Sequence, residues 1–309
     1  MNEQQGPLVL KVKGSSLDDG PGIRTVVFFK GCPLSCVWCH NPESKKAGVE
    51  LSFDGNRCIG CDTCIDLCPV GAVSKDNPHF IDRKKCTLCF ACAEKCPAGA
   101  LEQAGTAISI ASLMAEILKS QPFFESSGGG VTLSGGEPLL HMPFVSDLLK
   151  RLKERGIHTL IETSGVFNFS SFETLILPYT DTVYMDLKLF DPVEHKKFCG
   201  LSNQIILKNF EHLAKAEALG LDFLPRVPLI PGITTKRDNL EGIAQFLKDN
   251  NRKTVQLLSY NPTWIDKLSK IGSTSPVVDK AEMNEFMTDE GIEACKTIFL
   301  SAGISVLGS

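Results

Sequence analysis

Eleven of the thirteen cysteines fall into three tight groups, Cys32/Cys36/Cys39, Cys58/Cys61/Cys64/Cys68 and Cys86/Cys89/Cys92/Cys96. Thiolates at such short spacings can wrap a soft metal centre, so the pattern points to iron-sulfur chemistry and away from a disulfide framework.

The second and third groups are two copies of one run. Residues 58–73 and 86–101 share C-x2-C-x2-C-x3-C-P followed by Val-Gly-Ala or Ala-Gly-Ala, with Cys86 placed 28 positions after Cys58. This is the bacterial two-cluster ferredoxin run, in which the fourth cysteine of each half crosses to the other cluster. Cys58, Cys61, Cys64 and Cys96 are therefore assigned to one 4Fe-4S cluster, and Cys86, Cys89, Cys92 and Cys68 to the second. The alternative of two structural zinc sites normally uses separated C-x2-C pairs. A module of this size, about 53–105, has little apolar core, so bound clusters would have to hold it together.

Cys32-x3-Cys36-x2-Cys39 supplies only three thiolates. Three ligands on a four-iron cluster leave one iron open, and an open coordination position is where a substrate binds, as at catalytic zinc. This group is the catalytic candidate; a zinc knuckle or scattered thiols after a strand is the competing reading.

Around the cysteines the chain alternates strand and helix. Strands are expected at 25–30, 131–133, 157–162, 182–186, 222–227 and 254–258, and helices at 109–119, 143–155, 172–177, 205–219 and 240–249. Repeated β-α order argues for an α/β fold with a parallel sheet, open or curled into a partial barrel. Residues 1–14 lack a signal-peptide pattern and no apolar run approaches ~18 residues, so neither export nor membrane spanning is expected and the cytoplasm is the expected compartment. A net charge of -4 gives no footprint for nucleic acid. The basic run Lys150, Arg151, Lys153 and Arg155 reads as a solvated helix face.

C-x3-C-x2-C after the first strand is the signature of the radical S-adenosylmethionine (SAM) superfamily. Nearly the whole chain resembles a glycyl-radical-enzyme activating enzyme: Asp19-Gly20-Pro21-Gly22-Ile23-Arg24, Phe28-Phe29-Lys30-Gly31-Cys32, Trp38-Cys39-His40-Asn41-Pro42-Glu43, Gly128-Gly129-Gly130-Val131-Thr132, Ser134-Gly135-Gly136-Glu137-Pro138 and Asp186-Leu187-Lys188 stand in the right order. The insert resembles that of the subgroup containing activases of glycerol dehydratase and hydroxyphenylacetate decarboxylase. The resemblance implies a partial (β/α)6 TIM-like barrel built from residues 1–52 and 106–309, interrupted by a ferredoxin-like two-cluster domain at 53–105.

It also implies site residues. Gly135 and Gly136 let backbone approach the methionine amino group; a plain tight turn would use them equally. Trp38 packs near the adenine, beside Cys39 and the backbone of His40, or merely shields the surface. Asp186 and Lys188, flanking Leu187, reach the ribose and carboxylate of SAM, or form a local ion pair. Glu162 and Thr163 end one strand and Arg226 a later one, where barrel sites assemble; the acidic-Thr pair is linked in the family to a monovalent cation. Asn261 stands where a SAM-contacting His is usual. Cys199 and Cys295 read as ordinary buried thiols without partners, and His79, His141, His158, His195 and His212 form no ligand spacing.

The expected function is reductive cleavage of SAM to a 5'-deoxyadenosyl radical, which takes a hydrogen from a glycine of a partner glycyl-radical enzyme. A donor of flavodoxin or ferredoxin type would supply electrons, through the inserted clusters unless these serve as a docking platform. A radical SAM enzyme acting on a small molecule or another peptide is the alternative. A pure electron carrier would leave Cys32/Cys36/Cys39 and the Gly-Gly-Glu motif without a purpose.

Overall fold

The computed structural model describes residues 6–307; the first five residues of the N-terminal run lie outside them. Among the described residues eleven strands are formed: β1 (Leu8–Ser16), β2 (Arg24–Phe29), β3 (Glu50–Phe53), β4 (Leu101–Ala104), β5 (Thr106–Ala107), β6 (Gly130–Gly135), β7 (His158–Thr163), β8 (Thr182–Asp186), β9 (Asp222–Pro228), β10 (Thr254–Leu258) and β11 (Ser305–Leu307). Nine of them make one sheet in the order β11-β10-β9-β8-β7-β6-β2-β1-β5. From β2 to β11 every neighbouring pair is parallel, which is the partial barrel expected. The six expected strands are all present; β11 extends the parallel set, and β1 and β5 close the other edge in antiparallel pairing.

The period-2 alternation of the strands divides their side chains between two environments. One face carries Val27, Val131, Ile161, Val183, Phe223 and Val255, all buried in the main core with helix residues such as Leu148, Phe210 and Leu247. Those helices form where expected, at Ile110–Leu118, Met142–Lys153, Phe169–Leu175, Gln204–Ala216 and Arg237–Asp249. Their starts are fixed locally: Ser109 accepts from Ser112 N, and Asn168 from Ser171 N, as N-caps. The opposite strand face mixes polar side chains with buried Val26 and Leu160. There Arg24, buried at 0% exposure, donates to Thr132 Oγ1 at 2.6 Å and Val131 O at 2.7 Å.

The insert leaves and rejoins the barrel through β3 and β4, paired antiparallel from Glu50↔Ala104 to Phe53↔Leu101. Its root is anchored by an ion pair, Lys30 Nζ to Glu50 Oε2 at 2.8 Å, with the Lys30 side chain fully buried. Lys30 also donates to Glu43 O at 2.6 Å. The insert's own buried core is small, Leu51, Ile81, Cys92 and Leu101, with Phe53 stacked on Phe80 at 4.2 Å beside it.

The repeat survives in three dimensions. Helices Thr63–Asp66 and Ala91–Glu94 each follow a left-handed residue, Asp62 and Phe90, both at φ 58. Ala72 N donates to Cys68 Sγ at 3.2 Å, and Ala100 N to Cys96 Sγ at 3.2 Å. No helix among the described residues is long and apolar enough to cross a membrane.

Candidate functional site

Cysteine spacing, local turns and the repeat together shape two hollows in the insert. One is lined by Cys58, Cys61, Cys64 and Cys96 with Ile59, Phe53 and Phe80 at its walls. The other is lined by Cys68, Cys86, Cys89 and Cys92 with Leu51, Val73 and Phe90. Each therefore takes three thiols from one half and the fourth from the other. Four convergent thiols in an apolar-walled hollow suit a 4Fe-4S cluster.

The third group, Cys32/Cys36/Cys39, lies on the loop leaving the carboxyl end of β2. Burial, then the nearby Glu137 carboxylate, pushes the Cys32 thiol up to about 12, and burial with Cys36 pushes Cys39 up to about 11. Ligation would have to displace those protons. The loop is fastened on all sides. Gly31 N donates to Ser44 O at 2.7 Å and Cys32 N to Lys45 O at 3.0 Å. Ser35 N and Val37 N donate to Cys199 O at 2.9 Å and Phe198 O at 3.0 Å, the carbonyl end of helix Pro192–Cys199.

Gly135 and Gly136 have a structural requirement of their own. Gly135 sits at φ 102, and a Cβ there would meet the backbone of Phe29; at Gly136 it would meet Gly31 O. Their bare backbones pack against the root of the cysteine loop, where Gly136 N donates to Phe29 O and Glu137 N to Gly31 O, each at 2.8 Å. Glu137 itself is buried at 0% exposure and is the anchor that the sequence left without a role. Its carboxylate accepts from Thr163 Oγ1 at 2.9 and 3.0 Å, Ser164 N at 2.8 Å, Ser164 Oγ at 2.6 Å and Leu139 N at 3.2 Å, tying the end of β6 to the end of β7. Burial raises its pKa in spite of these donors.

Beside this anchor the strand ends bring an ionic network together. Arg226 Nη1 lies 2.6 Å from Glu162 Oε1, and its Nε lies 3.2 Å from Asp186 Oδ1. Lys188 Nζ lies 2.8 Å from Asp186 Oδ2, and Ser134 Oγ donates to Glu162 Oε2 at 2.6 Å. Burial would raise the Asp186 pKa, but Lys188 and Arg226 outweigh it and hold the carboxylate below its ordinary range. Burial likewise works to lower Lys188, and the Asp186 charge reverses this and raises it. The pairing of Asp186 with Lys188 is thus real, while Leu187 is buried between them in the main core. The monovalent-cation expectation meets a difficulty here, since Glu162 is already neutralised by Arg226 and the Thr163 hydroxyl is given to Glu137.

Trp38 is 5% exposed and packs with Leu34, Leu189, Ile230, Tyr260 and Trp264. His40 is exposed, and its carbonyl accepts from Lys267 Nζ at 2.8 Å. Asn261 is exposed, its Oδ1 accepting from Thr263 N at 3.0 Å just before helix Trp264–Lys270. Cys199 corrects the expectation of a thiol without partners: it is fully buried in one apolar cluster with Cys36, and its carbonyl accepts from Ser35 N. Nothing in the sequence marks that contact, because it joins a strand-end loop to a helix far along the chain. The motif Asp19 to Arg24 lies at the opposite, amino end of β2, where Thr132 Oγ1 donates to Asp19 O at 2.7 Å.

Comparison with known proteins gives the family. A family model for the radical SAM superfamily matches residues 84–247, one for a 4Fe-4S dicluster domain matches 50–97, and one for a 4Fe-4S single cluster domain matches 18–61. The chain is 41% identical over 299 residues to the trans-4-hydroxy-L-proline dehydratase activating enzyme of Clostridioides difficile, covering 95% of this chain and 96% of that one. It is 38% identical over 288 residues to the indoleacetate decarboxylase activating enzyme of Tractidigestivibacter scatoligenes, covering 89% and 90%. A radical SAM methyltransferase from Sphaerobacter thermophilus superposes with a TM-score of 0.54 over 98% of this chain and 77% of that one; at 13% identity the likeness is one of fold alone.

Proposed function

Because the chain belongs to the glycyl-radical-enzyme activating enzymes of the radical SAM superfamily, we propose that Cys32, Cys36 and Cys39 hold its catalytic 4Fe-4S cluster and that the strand-end network around Asp186 receives SAM. The activity follows from the membership: the enzyme cleaves SAM reductively to a 5'-deoxyadenosyl radical and abstracts a hydrogen from a glycine of a partner glycyl-radical enzyme. One observation carries the assignment of the site. The three-cysteine loop after β2 and the Glu162, Asp186, Lys188 and Arg226 side chains all emerge at the carboxyl ends of parallel strands, the end where barrel sites assemble.

The cluster, when bound, supplies the electron that splits the sulfonium bond. The chain's own groups do the rest. Lys188, paired with Asp186, is placed to meet the carboxylate of SAM, and Asp186 is kept ionised to accept from the ribose hydroxyls. Trp38, Cys39, the His40 backbone, Gly135, Gly136, Leu187 and Asn261 complete the proposed contacts. The role of a monovalent cation is given to Arg226, whose guanidinium already stands between two carboxylates. Buried, preorganised charges of this kind orient a reactive molecule without reorganising during the reaction.

The insert, taken as 53–105 between the barrel segments 1–52 and 106–309, is proposed to hold two further 4Fe-4S clusters in its four-cysteine hollows and to accept electrons from a flavodoxin or ferredoxin type donor. Cys61→Ala and Cys89→Ala test this. Loss of activation with the protein donor but not with an artificial reductant supports it; equal loss with both points to docking. Thirteen thiols without disulfides suit a reducing cytoplasm. The function itself is tested with deuterated glycine in the partner enzyme: deuterium must appear in 5'-deoxyadenosine. Cofactor turnover without that transfer would assign the chain to another radical SAM substrate class.

A further inference from the structure

One short helix touches three regions of the molecule that are remote in sequence. Trp264–Lys270 is held to the barrel by its first residue: Trp264 Nε1 donates to Tyr260 Oη at 2.7 Å, and Tyr260 Oη donates to Met283 O at 2.8 Å, all buried. From its middle, half-buried Lys267 reaches across to the residues that follow Cys39, donating to His40 O at 2.8 Å and Asn41 Oδ1 at 3.1 Å. From its end, Lys270 Nζ pairs with Asp54 Oδ2 of the insert at 2.7 Å, and Lys270 O accepts from Arg83 Nη2 at 3.2 Å, a guanidinium whose Nη1 also holds Leu51 O at 2.7 Å.

We propose that Lys267 is a positioning residue for the catalytic cluster loop. The inference rests on the reading that Cys32, Cys36 and Cys39 bind the catalytic cluster. An ammonium on the His40 carbonyl fixes the direction of the peptide beyond Cys39, and so the backbone edge beside SAM. It also sets a positive charge one residue beyond Cys39, which favours the reduced, more negative state of whatever Cys39 ligates. Methionine in its place keeps an unbranched chain one atom shorter and removes both effects; arginine keeps the charge and the donors.

The experiment is an anaerobic titration of reconstituted wild type, Lys267→Met, Lys267→Arg and Lys270→Met with SAM, read by EPR of the reduced cluster, with iron content and circular dichroism alongside. Lys267→Met should need about tenfold more SAM for the half-maximal spectral change, and its cluster should be several-fold harder to reduce at a fixed poise. A tenfold loss there equals a shift of about 59 mV for a one-electron couple. Lys267→Arg should recover most of both, and Lys270→Met, which leaves the His40 contact in place, should titrate like wild type. The proposal is overturned if Lys267→Met titrates like wild type, if Lys267→Arg is as impaired as Lys267→Met, or if Lys270→Met reproduces the whole defect. Should Lys267→Met not fold, Lys267→Gln, too short to reach His40 O, is judged by the same outcomes. A wild type whose cluster ignores SAM would instead refute the underlying assignment.

Discussion

Arg226 and Glu162 meet at 2.6 Å across the ends of β9 and β7, two strands separated in the sheet by β8. The contact spans the inner face of the curved sheet, over the Tyr184 ring, whose centroid lies 5.3 Å from the guanidinium carbon. Because Asp186 shares the same guanidinium and also pairs with Lys188, two cations balance two carboxylates in a nearly buried place.

Arg226→Leu should therefore leave the Glu162 charge unbalanced, while Asp186 keeps Lys188 as its only cation. Breaking a buried ionic contact by removing one partner costs about 3–5 kcal/mol, visible as a lower thermal midpoint in cluster-loaded protein. SAM binding should weaken at the same time. Wild type should bind SAM equally in potassium and sodium buffers, whereas Arg226→Ala should acquire a preference between them. A strong cation requirement in wild type would contradict the role given to Arg226.

The crossed hollows predict non-additive losses of iron. Cys64→Ala and Cys96→Ala line the same hollow, so the double variant should lose no more iron than either alone. Cys92→Ala with Cys96→Ala should strip both insert clusters, since those residues line different hollows. Mössbauer spectra with iron-to-protein ratios decide; the opposite pattern would mean that each half binds its own cluster.

Glu137→Ala removes the acceptor shared by Thr163 and Ser164 and strands their buried donors. Each unsatisfied buried group costs roughly 1–3 kcal/mol, so a fall in stability of about 3 kcal/mol is expected. Glu137→Gln, which keeps an oxygen acceptor, should lose much less. Equal losses would show that the carboxylate charge, rather than the acceptor geometry, holds β6 to β7.

Two histidines give the fold a pH dependence of known sign. Burial lowers the pKa of His158, with Arg24 and Lys153 adding to it against Asp181 and Asp222, and burial lowers that of His195. Both start from 6.5 in the unfolded chain. The unfolded chain then binds more protons, so their contribution is complete above pH 6.5 and is lost as pH falls below it through the folded values. Thermal midpoints measured from about pH 7.5 down to about 5.5 should decline, and His158→Gln should flatten the decline. A midpoint rising over that interval would reverse the assignment.

Much of this was legible in the chain for local reasons. The spacing C-x2-C-x2-C-x3-C sets which thiols face one centre within a turn or two of backbone, and the hollows match the crossed assignment. Short runs rich in β-formers, in repeated β-α order, marked all six expected strands. Period-2 alternation placed Asp186 and Lys188 side by side. The edge strands β5 and β11, at two and three residues, carry too short a pattern to read. Cys199 and Glu137 were missed as partners because each finds its contact in another element.

The sequence by itself determined which chemistry the chain can support and at which strand ends its reactive side chains stand, because ligand spacing and strand period are properties of neighbouring residues. The tertiary structure alone decided which distant groups meet: Arg226 with Glu162, Lys30 with Glu50, Lys267 with His40 and Ser35 with Cys199. Those pairings depend on strand order, register and the curvature of the sheet, which are set by the packing of the whole core and leave no periodic mark on the chain.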